Sequence, residues 1–404
     1  MQPQELRALG ELAGDAIGGI AMRVQEMHAG IAERAFGGTG VLATPVRLMH
    51  DRIAAGAYAG VRTALRGAAR AGANAASLIH PPDAPSLETS IRGRLAVGAL
   101  NGAFGDRLSE PLACEMCVAK PIQDPTDRLA IFVHGLCETE DAWWLGSRRH
   151  QPYGVRLQAE LGWTPVYVRY NSGRHISDNG RELARLIEEL VDSWPVEVSE
   201  IALIGHSMGG LVARCACHDG ADEPWADLVR LVFMLGTPHR GAPLAKAARA
   251  ASARLDVLPE TRALASALNL RSVGIQDLCS DCEFPFLPSA NQYFLAATLS
   301  HEIGAPAGQL VGDLLVLPPS AWDHGRGQRL TFPLDHYRHV GGANHFDLLN
   351  HPAIYEQIRR WISRGGLPAP ANDRSAPFRA RAARAARSGV AARGRPAPTR
   401  SRPR

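Results

Sequence analysis

From about residue 110 onward the chain alternates short aliphatic runs with longer stretches of mixed polarity. Leu129–Val133, Pro165–Tyr170, Ile201–Gly205, Leu228–Leu235, Tyr293–Leu299 and Tyr337–Val340 are four to eight residues long and almost free of charge. Runs of that length, apolar at consecutive rather than alternate positions, predict strands buried on both faces, as in a parallel sheet covered by helices. An earlier run, Leu112–Val118, reads as extended. The helices are predicted between the runs. In residues 178–194, Leu183, Leu186, Ile187, Leu190, Val191 and Trp194 recur at i, i+3, i+4, i+7, i+8 and i+11, with Asp178 placed as the N-cap. About fifty residues, Gly241–Ala290, intervene between the fourth and fifth strands and hold a helical piece after Pro259 with Leu264 and Leu268, so a cap insertion is predicted there.

Before that region, residues 1–105 are rich in Ala, Gly and Arg, with Val24, Met27, Ile31 and Val46, Met49, Ile53 at helical spacing. Gly37, Gly38 and Gly40 break the pattern, Pro45 restarts it and Pro81-Pro82 ends it, which predicts two helices joined by a turn. Arg62, Arg66 and Arg70 recur every fourth residue and would line one helix face, either solvated or laid against an anionic surface. After residue 365 the composition turns to Pro, Ala, Gly, Ser and Arg, and residues 366–404 are expected to be disordered. The reading is three parts: a helical region 1–105, an α/β domain 110–365 with a cap at 241–290, and a tail.

Composition narrows the class. At 46% hydrophobic and 21% charged residues the chain is too apolar to be disordered throughout. The net charge of +4 misleads, because residues 374–404 hold ten arginines and no acid, leaving 34 basic against 40 acidic residues elsewhere. Nucleic acid is therefore not an expected partner. The amino terminus lacks a basic stretch followed by an apolar core, and no apolar run is long enough to span a bilayer, so cytoplasmic residence is the expectation. Peripheral contact with a membrane is left open, and oligomeric state is not legible. The seven cysteines include two C-x-x-C pairs, Cys114/Cys117 and Cys279/Cys282. The first pair lies in the extended run, where positions three apart face opposite ways, and the two pairs are remote in sequence, so a zinc site is not expected and the cysteines receive no role.

The strongest chemical signal is Gly205-His206-Ser207-Met208-Gly209-Gly210, which follows an aliphatic strand and precedes a helical pattern, Leu211–His218. Small residues on either side let the backbone turn sharply and project a serine at the start of a helix. A serine hydroxyl becomes a useful nucleophile when a histidine takes its proton and a carboxylate orients that histidine. Folds built on this turn supply the acid first and the histidine later, each past a strand's carboxyl end. His345, in the loop Gly341-Gly342-Ala343-Asn344-His345, is the favoured base. His301 is the alternative, though it precedes the favoured acid, and His336, His339 and His351 read as surface or packing residues. Asp313, in Gly312-Asp313-Leu314-Leu315-Val316, is the favoured acid over Asp323 and Asp335, which sit in polar loops, and over Asp347, which is too close to His345. The oxyanion donors expected are the backbone amides of Met208, after the nucleophile, and Leu136, in the His134-Gly135-Leu136-Cys137 loop. His134 reads as a brace for that loop and Cys137 as a small packed residue.

These stretches together resemble the α/β-hydrolase esterases and lipases, particularly the bacterial lipase-like group related to glycosylphosphatidylinositol-inositol deacylases. The resemblance rests on FVHGL at 132–136, GHSMGGLVAR at 205–214, LGTPHRGAPL at 235–244, GDLLV at 312–316 and NHFDLLNHP at 344–352, and covers residues 125–365. It implies an α/β-hydrolase fold with a mostly parallel central sheet, Ser207, Asp313 and His345 as triad, Leu136 and Met208 as oxyanion donors, and Thr237-Pro238-His239 as a loop bordering the acyl site. The implied activity is hydrolysis of a lipid-like or small apolar ester without metal or organic cofactor, and the same triad would serve an acyltransferase or thioesterase. A non-catalytic protein acting at a lipid surface, through its helical amino terminus or its tail, is the reading outside enzymes. Leu255, Leu258, Leu264 and Leu268 would line the cap. Family lipases are often exported, which the amino terminus does not suggest here, and the Cys279/Cys282 pair is outside the family pattern.

Overall fold

Alternate residues of the central strands are buried on opposite faces of one sheet. In β2 (Arg128–Val133), Leu129, Ile131 and Val133 enter one core while Ala130 and Phe132 enter the other, and all five are fully buried. Burying a side chain such as Phe132 contributes about 1.5–3 kcal/mol, so each strand is held by both layers. The computed structural model describes residues 1–37, 44–242, 246, 272–301, 313, 315–322 and 332–364. The cap leucines at 255, 258, 264 and 268, Asp323, and the tail after residue 364 lie outside the described residues.

The sheet has seven strands: β1 (Cys117–Val118), β2, β3 (Thr164–Arg169), β4 (Glu200–His206), β5 (Val229–Leu235), β6 (Asn291–Thr298) and β7 (Tyr337–Gly341). Their order is β1-β3-β2-β4-β5-β6-β7, with only the β1–β3 pair antiparallel. The six predicted strands all form, with ends shifted by no more than two residues. Of the expected extended run 112–118, the last two residues alone join the sheet.

One face of the sheet carries α5 (Ile176–Ser193) and α6 (Met208–Asp219); the other carries α4 (Tyr153–Leu161) and α9 (Pro352–Ser363). Two short helices, α7 (Val273–Asp277) and α8 (Pro318–Ala321), border the strand ends. In α5 the predicted face is the buried one, but the helix starts at Ile176, and Asp178 lies in its first turn rather than at the cap. The cap comes from elsewhere: the Asp277 carboxylate accepts from the Ile176 amide at 2.9 Å. A tertiary cap leaves no local signal at the helix start.

The amino-terminal region forms α1 (Pro3–Gly37) and α2 (Thr44–Ile79), then α3 (Ile91–Phe104). Gly10 and Gly14 of α1 face Ala73 and Ala69 of α2, so the two helices approach closely through small residues. Beside this seam Arg62 donates to Gln25 and Arg66 pairs with Asp15 at 3.4 Å, while Arg66 and Arg70 stay exposed to solvent. Val46, Met49, Ile53, Val61 and Leu65 are exposed as well. The reason is steric: an Ala/Gly seam lets the helices draw near, whereas a valine or isoleucine row would hold them apart. Buried Glu5 anchors α1 to the segment before α3, accepting from Ser86 Oγ at 2.5 Å and the Leu87 amide at 2.9 Å. Among the described residues no helix is long and apolar enough to cross a membrane.

Candidate active site

The mostly parallel sheet, sandwiched between helices and turning sharply from β4 into α6, has the α/β-hydrolase fold, in which chemistry gathers at the carboxyl ends of the strands. Ser207 occupies the turn with φ 52° and ψ −124°, a left-handed conformation that costs a non-glycine residue free energy. The surroundings enforce it. The Ser207 amide donates to the Leu235 carbonyl at 2.8 Å, and a Cβ on Gly209 would lie 2.3 Å from the carbonyl oxygens of Val133 and His134. Ser207 is half-buried while His206 and Met208 beside it are fully buried, so of the three the serine is the one presented outward.

Two of the residues expected at the site are brought together directly. His345 Nδ1 lies 2.7 Å from Asp313 Oδ2, and both side chains are 2% exposed. The other carboxylate oxygen accepts from the Leu315 and Val316 amides at 3.0 and 2.8 Å, and the His345 amide donates to the Asp313 carbonyl at 3.1 Å. A carboxylate only accepts, so Nδ1 carries the proton and Nε2 is left as an acceptor. That Nε2 is buried and has no partner among the described residues. The ring lies against Gly236, directly after the strand end that holds the Ser207 amide.

The rivals are placed elsewhere. His301 is exposed and its ring covers Gly342. His336 bonds the Gln292 carbonyl, His339 bonds Thr298, and His351 caps α9. Asp335 is exposed, and Asp347 completes a capping box with Asn344.

The loop after β2 approaches Ser207. A Cβ on Gly135 would sit 3.0 Å from Ser207 Cβ. The Gly135 amide donates to Glu138 Oε2 at 2.6 Å and the Cys137 amide to Ser172 Oγ at 3.1 Å, while the Leu136 amide between them has no protein acceptor among the described residues. The Met208 amide opens α6 and has no carbonyl one turn earlier to bond. His134 braces the loop: its Nδ1 bonds the Gly135 carbonyl, Nε2 accepts from the Tyr170 amide, and Tyr170 Oη donates to the His134 carbonyl. Burial holds its pKa below the ordinary histidine value. Cys137, expected as a packed residue, is exposed at the crest of the loop with φ 61°.

Three residues near the site escaped the sequence reading. Glu138 and His206 are buried and paired, with both carboxylate oxygens 3.0 Å from His206 Nδ1. His206 also packs edge-on against Trp143, ring centroids 6.4 Å apart. Ser172, from the loop after β3, is fully buried under the Cys137 amide. A charge next to Gly135-Leu136-Cys137 and a histidine before the nucleophile were the only signals, and neither indicates its partner. His239, implied to border an acyl site, turns inward to Arg214, Phe286 and Phe294 and is fully buried.

A family model described as a PGAP1-like alpha/beta domain matches residues 168–285. A triacylglycerol lipase of Burkholderia plantarii is 31% identical over 166 residues, 39% of this chain and 41% of that protein. A triacylglycerol lipase of Pseudarthrobacter phenanthrenivorans is 33% identical over 125 residues, 28% of this chain and 34% of that one. The chain thus spans well under half the length of these curated relatives. Among solved structures, the Bacillus licheniformis lipase BlEst2 in its propeptide form aligns with TM-score 0.43 and 19% identity, covering 63% of this chain and 54% of that one.

Proposed function

We propose that this protein is a serine carboxylic-ester hydrolase acting on apolar acyl esters through an acyl-enzyme. The observation that carries the reading is the buried Asp313–His345 pair, with an unpartnered Nε2 and a ring against Gly236, directly after the strand end that holds the Ser207 amide. In this mechanism His345 Nε2 takes the Ser207 proton as Oγ attacks the ester carbonyl. Asp313 holds the ring and stabilises the imidazolium. The Leu136 and Met208 amides receive the oxyanion. The tetrahedral intermediate collapses, His345 gives the proton to the departing alcohol, and the acyl group stays on Ser207. Water then attacks with the same histidine as base, releasing the acid and restoring the serine. Protein groups suffice for every step, with no metal or organic cofactor.

The similarity to triacylglycerol lipases supports a lipid-like acyl ester as substrate. The test is hydrolysis of p-nitrophenyl esters of increasing acyl length by the protein and its Ser207→Ala variant. Turnover that vanishes in the variant is the expected result, and its length optimum sizes the acyl site. Turnover unaffected by the substitution would overturn the proposal.

A further inference from the structure

Glu138 and His206 form a chain of contacts that spans the site. Glu138 accepts from the Gly135 amide at 2.6 Å, at the start of the loop carrying Leu136. Its carboxylate faces His206 Nδ1 at 3.0 Å, and His206 Nε2 lies 3.2 Å from the carbonyl oxygen of His345. Both neighbours of His206 are acceptors: a carboxylate on one nitrogen, a carbonyl on the other. A neutral imidazole has a single N–H and satisfies one of them; the imidazolium satisfies both.

We propose that Glu138 and His206 are positioning residues that fix the oxyanion loop and the general-base loop at one separation, with His206 held as an imidazolium donating to both. The inference rests on the esterase reading, because it assigns the pair a purpose in that reaction. Neither residue touches substrate: Glu138 acts through the Gly135 amide, next to the Leu136 donor, and His206 through the carbonyl of His345. Burial opposes charge on both, but their mutual attraction prevails, keeping His206 above the ordinary histidine value and Glu138 below the ordinary carboxyl value. The other titratable groups facing the pair are Asp313 and His345 on the base side and His134 on the loop side.

The experiment joins two readouts on the full chain. Ring 15N NMR of histidine-labelled protein, with His206 assigned through His206→Asn, reads protonation without any need for turnover. Kinetics on p-nitrophenyl butyrate compare the protein with Glu138→Gln and Glu138→Asp. The expected results are two protonated nitrogens on His206 at pH 7.5 and a neutral ring in Glu138→Gln. That variant should lose kcat by about tenfold or more, since small misplacements of catalytic groups are costly, with KM within about twofold. Glu138→Asp, which keeps the charge, should recover part of the loss. In the unsubstituted protein the alkaline fall of kcat should track the deprotonation of His206 seen by NMR. A His206 bearing one proton, or a Glu138→Gln variant with unchanged kcat, overturns the proposal. If the unsubstituted protein hydrolyses no ester, the esterase reading fails, and the doubly donating bridge stands or falls on the NMR result.

Discussion

Gly102 of α3 lies directly behind Cys137 of the loop after β2: a Cβ built on the glycine would fall 2.3 Å from the Cys137 Sγ and 2.6 Å from its amide nitrogen. Helix α3 is therefore the back wall of that loop. Ser272 ties the same turn of helix to α7, its hydroxyl donating to the Gly102 carbonyl at 2.6 Å and its amide to Ala103 at 3.1 Å. Helix α3, which precedes the sheet in the chain, thus packs against the loop proposed to hold the oxyanion.

Gly102→Val should accordingly affect both stability and rate. Overpacking of this kind costs about 1–3 kcal/mol. Because the clash is with the loop itself, kcat should fall while KM moves little. Urea unfolding with p-nitrophenyl ester kinetics checks this; a variant as stable and active as the parent would show that the loop does not rest on α3.

Asp313→Asn keeps the shape of the acid but lets Nδ1 of His345 adopt the wrong tautomer. A loss in kcat of about 10³- to 10⁴-fold is expected, with much smaller change in substrate affinity. Steady-state kinetics decide it, and a loss under tenfold would remove Asp313 from the triad.

His239 governs part of the acid sensitivity. Burial, reinforced by the adjacent Arg214 cation, holds its pKa well below the ordinary histidine value, and Nδ1 accepts from Arg214 at 3.0 Å. The unfolded chain takes up the proton near pH 6.5 while the folded protein does not, so stability falls as the pH drops below about 6.5. In His239→Gln, which keeps an acceptor for Arg214, the decline between pH 6.5 and 5 should be shallower by up to about 1.4 kcal/mol per pH unit. Urea midpoints measured across that range test it; parallel curves would refute it.

Arg169 holds a buried charge. Its Nε and Nη2 reach the two carboxylate oxygens of Glu140 at 2.7 and 2.6 Å, and Glu140 is 2% exposed. Arg169→Met leaves that buried carboxylate only Arg94, 3.8 Å away, and should cost about 3–5 kcal/mol. Glu88, the other partner of Arg169, is 37% exposed, so Glu88→Gln should cost under about 1 kcal/mol. Chemical denaturation of the two variants gives the comparison.

The parts legible in the sequence were those governed by local pattern. β2 to β6 announced themselves because strands buried on both faces are apolar at consecutive positions, whereas β7, an edge strand with Val340 alone buried, gave a weaker pattern, and Ser207 stood out because its turn demands glycines. The contact between Asp313 and His345 was expected from their order along the chain. Other partnerships across the fold were not legible. Glu138 and His206 are 68 residues apart, and the α5 cap, Asp277, is 101 residues from Ile176. The seam between α1 and α2 was also hidden, since an Ala-rich helix offers little contrast between its faces and small residues, not large ones, form the contact.

The edge contact between Trp143 and His206 makes the molecule its own optical probe. An excited indole is quenched by a protonated imidazole at van der Waals range and emits more strongly once the proton leaves. The fluorescence of Trp143, isolated by difference from a Trp143→Phe variant, should therefore brighten as His206 discharges, reporting the electrical state of the site interior without label, substrate or turnover.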